Sequence, residues 1–123
     1  MNNDMDSICI DIIEQLLILL KNDPEHALIT YGSLSEKINR KIGPRNLDYP
    51  LGIVSDVCKE LGMPLLSTIV VNKKSYMPGE GYFTYYYPDV KETEYDNIFK
   101  RNLKEVREYQ HWDEFAEAMG IKI

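Results

Sequence analysis

Several residue types and patterns are scarce in this 123-residue chain, and each scarcity excludes something. Cysteine occurs twice, as Cys9 and Cys58, and histidine twice, as His26 and His111. Neither cysteine has a second cysteine or a histidine at ligand spacing, so no metal and no other cofactor is expected. Two thiols are also too few for a disulfide scaffold, and both are expected reduced and buried among apolar neighbours. Long hydrophobic runs are missing as well. The best stretch, Ile8 to Leu20, is broken by Asp11, Glu14 and Gln15. It falls short of the ~20 apolar residues of a membrane span. With neither a basic leader nor a small-residue cleavage site, it does not read as a secretory signal, and a cytoplasmic location is expected.

What is present suits one small domain spanning residues 1–123. The apolar share is 44% and the charged share 28%, enough for a core and typical of ordered chains. The formal charge of −6 disfavours nucleic acid at first sight, yet the charge is segregated. From Lys37 to Lys74 there are seven basic and three acidic residues, a net of +4, while the rest carries −10. A chain of this kind can present one basic face in an acidic whole.

Hydrophobic periodicity organises the chain. Ile8, Ile12, Leu16, Leu17 and Leu20 predict an amphipathic helix capped by Asp6 or Ser7 and ended at Asn22-Asp23-Pro24. Ser33 with Glu36 has capping-box spacing and predicts a helix from Leu34 to Arg40, stopped by Ile42-Gly43-Pro44. A third helix is predicted from Asp48 to Leu61, with Pro50 in its first turn and Gly62 as its stop. The β-branched run from Leu65 to Val71 predicts a strand, and the tyrosine-rich arm from Tyr76 to Tyr87 a second one. Between the two, Asn72-Lys73-Lys74-Ser75 makes a turn, and Gly79-Glu80-Gly81 reads as a turn within the hairpin. Helices follow from about Glu92 to Tyr109 and from Trp112 to Met119, ending at Gly120. Three helices and a β-hairpin make an α+β winged helix-turn-helix, with a core at about 6–87 and a C-terminal helical extension at 88–123.

The segment Ile29-Thr30-Tyr31-Gly32-Ser33-Leu34-Ser35 resembles the V-T-Y-G-x-I-A opening of the DNA-binding domain of O6-alkylguanine DNA alkyltransferases and alkyltransferase-like proteins. The similarity continues through Gly43, Pro44-Arg45, the helix to Leu61, Pro64 and Ile69-Val70-Val71, covering roughly residues 29–81. It implies a winged-helix DNA-binding domain, with Tyr31 matching the family's tyrosine beside the target phosphate. The departures are equally specific. The family's reactive Pro-Cys-His-Arg is absent: Pro64 is followed by Leu65, Leu66 and Ser67. Without the thiol and its histidine, alkyl transfer is not expected. Strict spacing puts Tyr49 where the family has its recognition-helix arginine, and Arg45 stands one helical turn earlier.

No Ser/His/Asp arrangement and no clustered carboxylate pair supports catalysis, so a non-enzyme is expected. The candidate nucleic-acid-binding residues are Tyr31, Lys37, Arg40, Lys41, Arg45, Asn46, Lys73 and Lys74. Arg45 and Asn46 have the side chains that contact guanine and adenine edges, and the lysines suit phosphates. An alternative is an acidic protein-interaction module or inhibitor, as a phage or mobile element would carry. Its contacts would be the acidic helices and Tyr82, Tyr85, Tyr86 and Tyr87.

Overall fold

A computed structural model describes residues 3–123. Helix α1 (Asn3–Asn22) is the axis of the molecule. Its Ile12, Ile13, Leu16 and Leu17 are buried from all but a trace of solvent. Positions three and four apart share one helical face, so this stripe faces a single core. Asp4 and Asp6 sit in its first turn and Lys21 in its last, matching the helix dipole at both ends. The chain leaves α1 at Asn22, and Pro24 opens a short 3-10 turn.

Two residues of strand β1 (Ile29–Thr30) lead directly into α2 (Tyr31–Lys37). Here the expected cap moves. Thr30, not Ser33, is the N-cap, and its hydroxyl accepts the Ser33 amide at 3.2 Å. Helix α2 ends through Asn39 and Arg40, both in the left-handed region, and the Arg40 amide donates to the Ser35 carbonyl at 2.8 Å. Helix α3 (Asp48–Glu60) follows, and Leu51, Val54, Ser55 and Cys58 make its buried face. Gly62 closes α3 at φ +71°, and the Met63 amide bonds back to Cys58 at 2.9 Å. This six-to-one bond is the Schellman ending, in which glycine carries the positive φ without steric cost.

A buried 3-10 segment, Leu66–Ile69, then packs against α3 and runs into β2 (Val70–Val71). The pairing differs from expectation. Strand β2 pairs in parallel with β1, in the register Ile29 with Val70 and Thr30 with Val71. Val70 and Val71 are wholly buried, as suits a parallel pair covered on both faces.

No β-hairpin forms from residues 65–87, so the wing expected from the sequence is corrected. The tyrosine-rich arm is helix α4 (Glu80–Tyr86). Tyrosine favours strands only where a pleated partner exists. In this arm Tyr82 and Phe83 are both buried, and Tyr86 lies one turn from Tyr82. Alternation would put Tyr82 and Phe83 on opposite faces of a strand; a helix puts both inward. The structure is thus mainly helical with a small parallel sheet.

Helix α5 (Tyr95–Glu108) carries Ile98, Phe99, Asn102 and Val106 inward, and α6 (Trp112–Ala118) ends at Gly120, φ +72°. Val106, Trp112, Phe115 and Ile121 belong to the same core cluster as α1. Helices α5 and α6 therefore contribute side chains to the same core as α1. Trp112 anchors this end, its indole N–H donating to the Val106 carbonyl at 2.9 Å. Cys9 and Cys58 are buried and free. No helix among the described residues is long and apolar enough to cross a membrane.

Asn102 ties α5 to α4. Its amide donates to the Tyr82 hydroxyl at 2.8 Å and to the Tyr87 hydroxyl at 2.7 Å. A buried hydroxyl left without its partner costs about 1–3 kcal/mol. Asn102→Ala is expected to lower unfolding stability by about 2–3 kcal/mol in urea titrations. Asn97→Ala, on the exposed side of α5, is expected to change it by less than about 0.5 kcal/mol. Equal effects of the two would show that the Asn102 bonds contribute little.

Candidate functional site

Packing α4 across the first half of α3 leaves a cavity of about 360 Å³ between them. Five tyrosines line it, Tyr31, Tyr49, Tyr82, Tyr85 and Tyr86, with Leu51, Ile53 and Pro78 adding aliphatic surface. Ser55 and Ser67 also line it, and both are buried. Their hydroxyls lie 2.5 Å apart and bond to each other. Two charged side chains belong to the lining, Asp48 and Asp56.

The wall is held by side chains that are themselves fixed. Thr68 gives its one hydroxyl proton to the Leu65 carbonyl at 2.6 Å. The Tyr82 hydroxyl, 2.8 Å from the Thr68 oxygen, must therefore donate to it, while it accepts from Asn102. Burial pushes the Tyr82 phenol up to about 12. Tyr86 donates to an Asp56 carboxylate oxygen at 3.0 Å, and burial with that neighbouring acid raises its pKa strongly. Tyr49 and Tyr85 at the rim are 67% and 64% exposed, so these rings are offered to solvent.

Beside this cavity lies a shallower mouth of about 260 Å³, sharing Tyr31 and Asp48 with it and adding Pro44, Arg45, Asn72 and Gly79. Tyr31 links the two. Its hydroxyl accepts the Gly79 amide at 2.9 Å. Burial, with the Asp48 carboxylate alongside, pushes its pKa up to about 12. Gly79 lets the backbone approach closely here: a Cβ would sit 3.0 Å from the Tyr31 hydroxyl oxygen, a tight contact.

The residues singled out from sequence divide into three groups. Tyr31 and Arg45 meet at the mouth, and Lys73 and Lys74 follow Asn72 in the adjoining exposed turn. Arg45 and Asn46 lie in a 3-10 turn just before α3 and are exposed. Arg40 and Lys41 are engaged elsewhere: Arg40 bonds Glu36 at 3.2 Å and Lys41 bonds Asp11 at 2.5 Å. Lys37 lies exposed in the last turn of α2. Among the described residues Lys37, Arg45, Lys73 and Lys74 make no ion pair.

The tyrosine cluster is also redistributed. Tyr82 is buried and Tyr86 and Tyr87 are half-buried, so only Tyr85 of the four is an exposed contact surface. Gly79-Glu80-Gly81 is not a hairpin turn but the start of α4. The histidines stand apart, exposed, His26 on Asp23 at 3.1 Å and His111 on Glu114 at 2.9 Å.

Sequence reasoning missed Tyr49 as a cavity residue, and also Asp48, Ser55, Asp56 and Ser67. The i, i+4 pair Tyr82–Tyr86 was the available signal that the arm is helical and packs on another helix. No protein-family model, no curated protein and no solved structure matches this chain.

Tyrosines 31 and 82 also determine behaviour at high pH. Both phenols ionise at about 12 in the folded protein, against 10.0 ordinarily. A folded pKa raised above the unfolded one stabilises the protonated fold, fully below the unfolded value. That stability is expected to drain away as pH rises from about 10 to about 12. Ultraviolet titration of tyrosinate should show three lagging phenols, Tyr31, Tyr82 and Tyr86, and Tyr82→Phe should flatten the alkaline loss of stability. Nine tyrosines titrating together, with unchanged stability, would contradict this account.

Proposed function

We propose that this chain is a non-catalytic nucleic-acid-binding domain that admits one unstacked base to the tyrosine cavity and holds the flanking phosphate at the mouth. In this reading the resemblance to alkyltransferase-like proteins reflects a shared way of meeting DNA, with α2 and α3 as the helix-turn-helix and Arg45 at its leading edge.

One observation carries the proposal: the tyrosine-lined cavity adjoins, across the shared side chains of Tyr31 and Asp48, a second pocket that bears Arg45. A volume of about 360 Å³ falls in the ~300–1,000 Å³ range of small-molecule sites. Stacking on an aromatic ring stabilises a bound base by about 1–3 kcal/mol and tolerates any base identity. Arg45, Lys73 and Lys74 have no acidic partner to displace, so phosphates can occupy them without breaking an ion pair. Binding is favoured over reaction by the pair Ser55–Ser67. Their hydroxyls bond each other, and both histidines lie elsewhere, on Asp23 and Glu114. A serine with no base to take its proton is a poor nucleophile.

The test is binding to duplex, bulged and single-stranded DNA across a salt series. Each phosphate contact adds about 0.9 to the slope of log affinity against log salt. Arg45→Ala/Lys73→Ala should lower that slope by about 1–2 and weaken all three substrates alike. Tyr85→Ala should cost about 1–3 kcal/mol on bulged and single-stranded DNA, and less on intact duplex. Absence of binding at low salt would overturn the proposal, because electrostatic attraction is greatest there. The exposed rings of Tyr49 and Tyr85 would then be the place to seek a protein partner.

A further inference from the structure

We infer that the cavity selects a positively charged base, of the class of ring-nitrogen-methylated purines, and this inference rests on the nucleic-acid reading above. The cavity lining carries two carboxylates, Asp48 and Asp56, and no basic side chain. Neither carboxylate takes part in an ion pair among the described residues. Both are solvent-exposed, at the lip of a space whose other walls are tyrosine rings, aliphatic side chains and two serines. The nearest lysine to these rings, Lys59, sits 5.6 Å from the Tyr86 centroid but is not part of the lining.

Aromatic rings attract a cation through their negative faces, and the attraction strengthens as the cation loses water. Carboxylates at the lip add a direct Coulomb term and also accept N–H groups from a base edge. A neutral base gains the stacking and the hydrogen bonds alone. A base methylated at a ring nitrogen, and so cationic, gains all three. Asp48 lines both spaces, whereas Asp56 lines the cavity alone and Arg45 the mouth alone, so the phosphate of such a nucleotide is repelled from the cavity by Asp56 and drawn to the mouth by Arg45. The arrangement therefore sorts the two halves of a zwitterionic nucleotide: cationic ring inward, anionic phosphate at the mouth. A plain phosphate-binding cleft would not place in its wall two carboxylates, each hydrogen-bonded to a tyrosine of the lining and neither in an ion pair among the described residues.

The experiment uses free nucleosides, which lack the phosphate and so bypass Arg45 and Lys73. Calorimetry compares 7-methylguanosine with guanosine in slightly acidic buffer, where the methylated ring keeps its full positive charge. The wild-type chain should bind 7-methylguanosine about tenfold more tightly. Asp48→Asn/Asp56→Asn, with folding checked by circular dichroism, should bring that ratio close to one by weakening 7-methylguanosine more than guanosine. Equal affinities in the wild type, or a preference that survives the double substitution, would overturn charge selection. Failure of both nucleosides to bind would overturn it too. Salt-dependent DNA binding that is lost in Arg45→Ala/Lys73→Ala reports separately on the nucleic-acid reading, so the failure of either is recognisable.

Discussion

Much of this molecule depends on one hydroxyl, that of Tyr82. It donates to Thr68 and accepts from Asn102, so it joins the 3-10 segment, α4 and α5 at a single buried point. Each partner is directional. Thr68 has already given its proton to Leu65, and Asn102 uses its second amide hydrogen on Tyr87. The network is complete, and a complete polar network rigidifies, where a half-complete one would destabilise. With Tyr82 fixed, its ring becomes an immobile wall, and the cavity exists because α4 is held at that distance from α3. The same junction explains why the second hydrophobic cluster, Val71, Tyr82, Phe83, Ile98 and Phe99, surrounds it. Phe83 stacks on Tyr95 at 4.1 Å, nearly parallel, and closes the apolar side.

Position in the chain decides what was readable from sequence. The stripe of α1, the extent of α3 and the glycine stops at Gly62 and Gly120 are local signals, and the structure follows them. What escaped was set by distant partners. Nothing near Val70 indicates that its strand neighbour is Ile29, 41 residues earlier and parallel. A two-residue strand has almost no pattern of its own. The arm from Tyr76 to Tyr87 has strong strand propensity, and tertiary packing overrode it, because no third strand was there to receive it. The Thr30 cap was hidden for a related reason: the same residue ends β1, and strand and cap signals overlap.

Legibility of the candidate site divides along the same line. Tyr31 and Arg45 were visible because short motifs and charge mark them. Asp48, Ser55 and Asp56 were not, since their spacing along α3 carries no sign of which helix lies across them. Ser67 read as the residue that stands near a missing thiol. They acquire meaning when α4 lies across them. A cavity is a property of two surfaces, and each half alone reads as ordinary helix.

The charge segregation now has a spatial sense. Of the seven basic residues of the middle segment, Arg40 and Lys41 are neutralised locally by Glu36 and Asp11, Lys37 and Lys59 lie in the last turns of α2 and α3, and Arg45 with the neighbouring Lys73 and Lys74 belongs to the mouth and its adjoining turn. The net +4 of that segment therefore overstates a basic face, and the free part is small. A small patch attracts phosphate only at short range, because at physiological salt the field decays within about 8 Å. Long-range steering of an acidic protein toward DNA would be repulsive, so association should depend on contact chemistry. Aromatic stacking and a nearby guanidinium are contact chemistry. On the nucleic-acid reading proposed above, a domain built in this way would bind continuous duplex weakly and favour places where a base is already unstacked, since no stacking gain is then consumed in opening the helix.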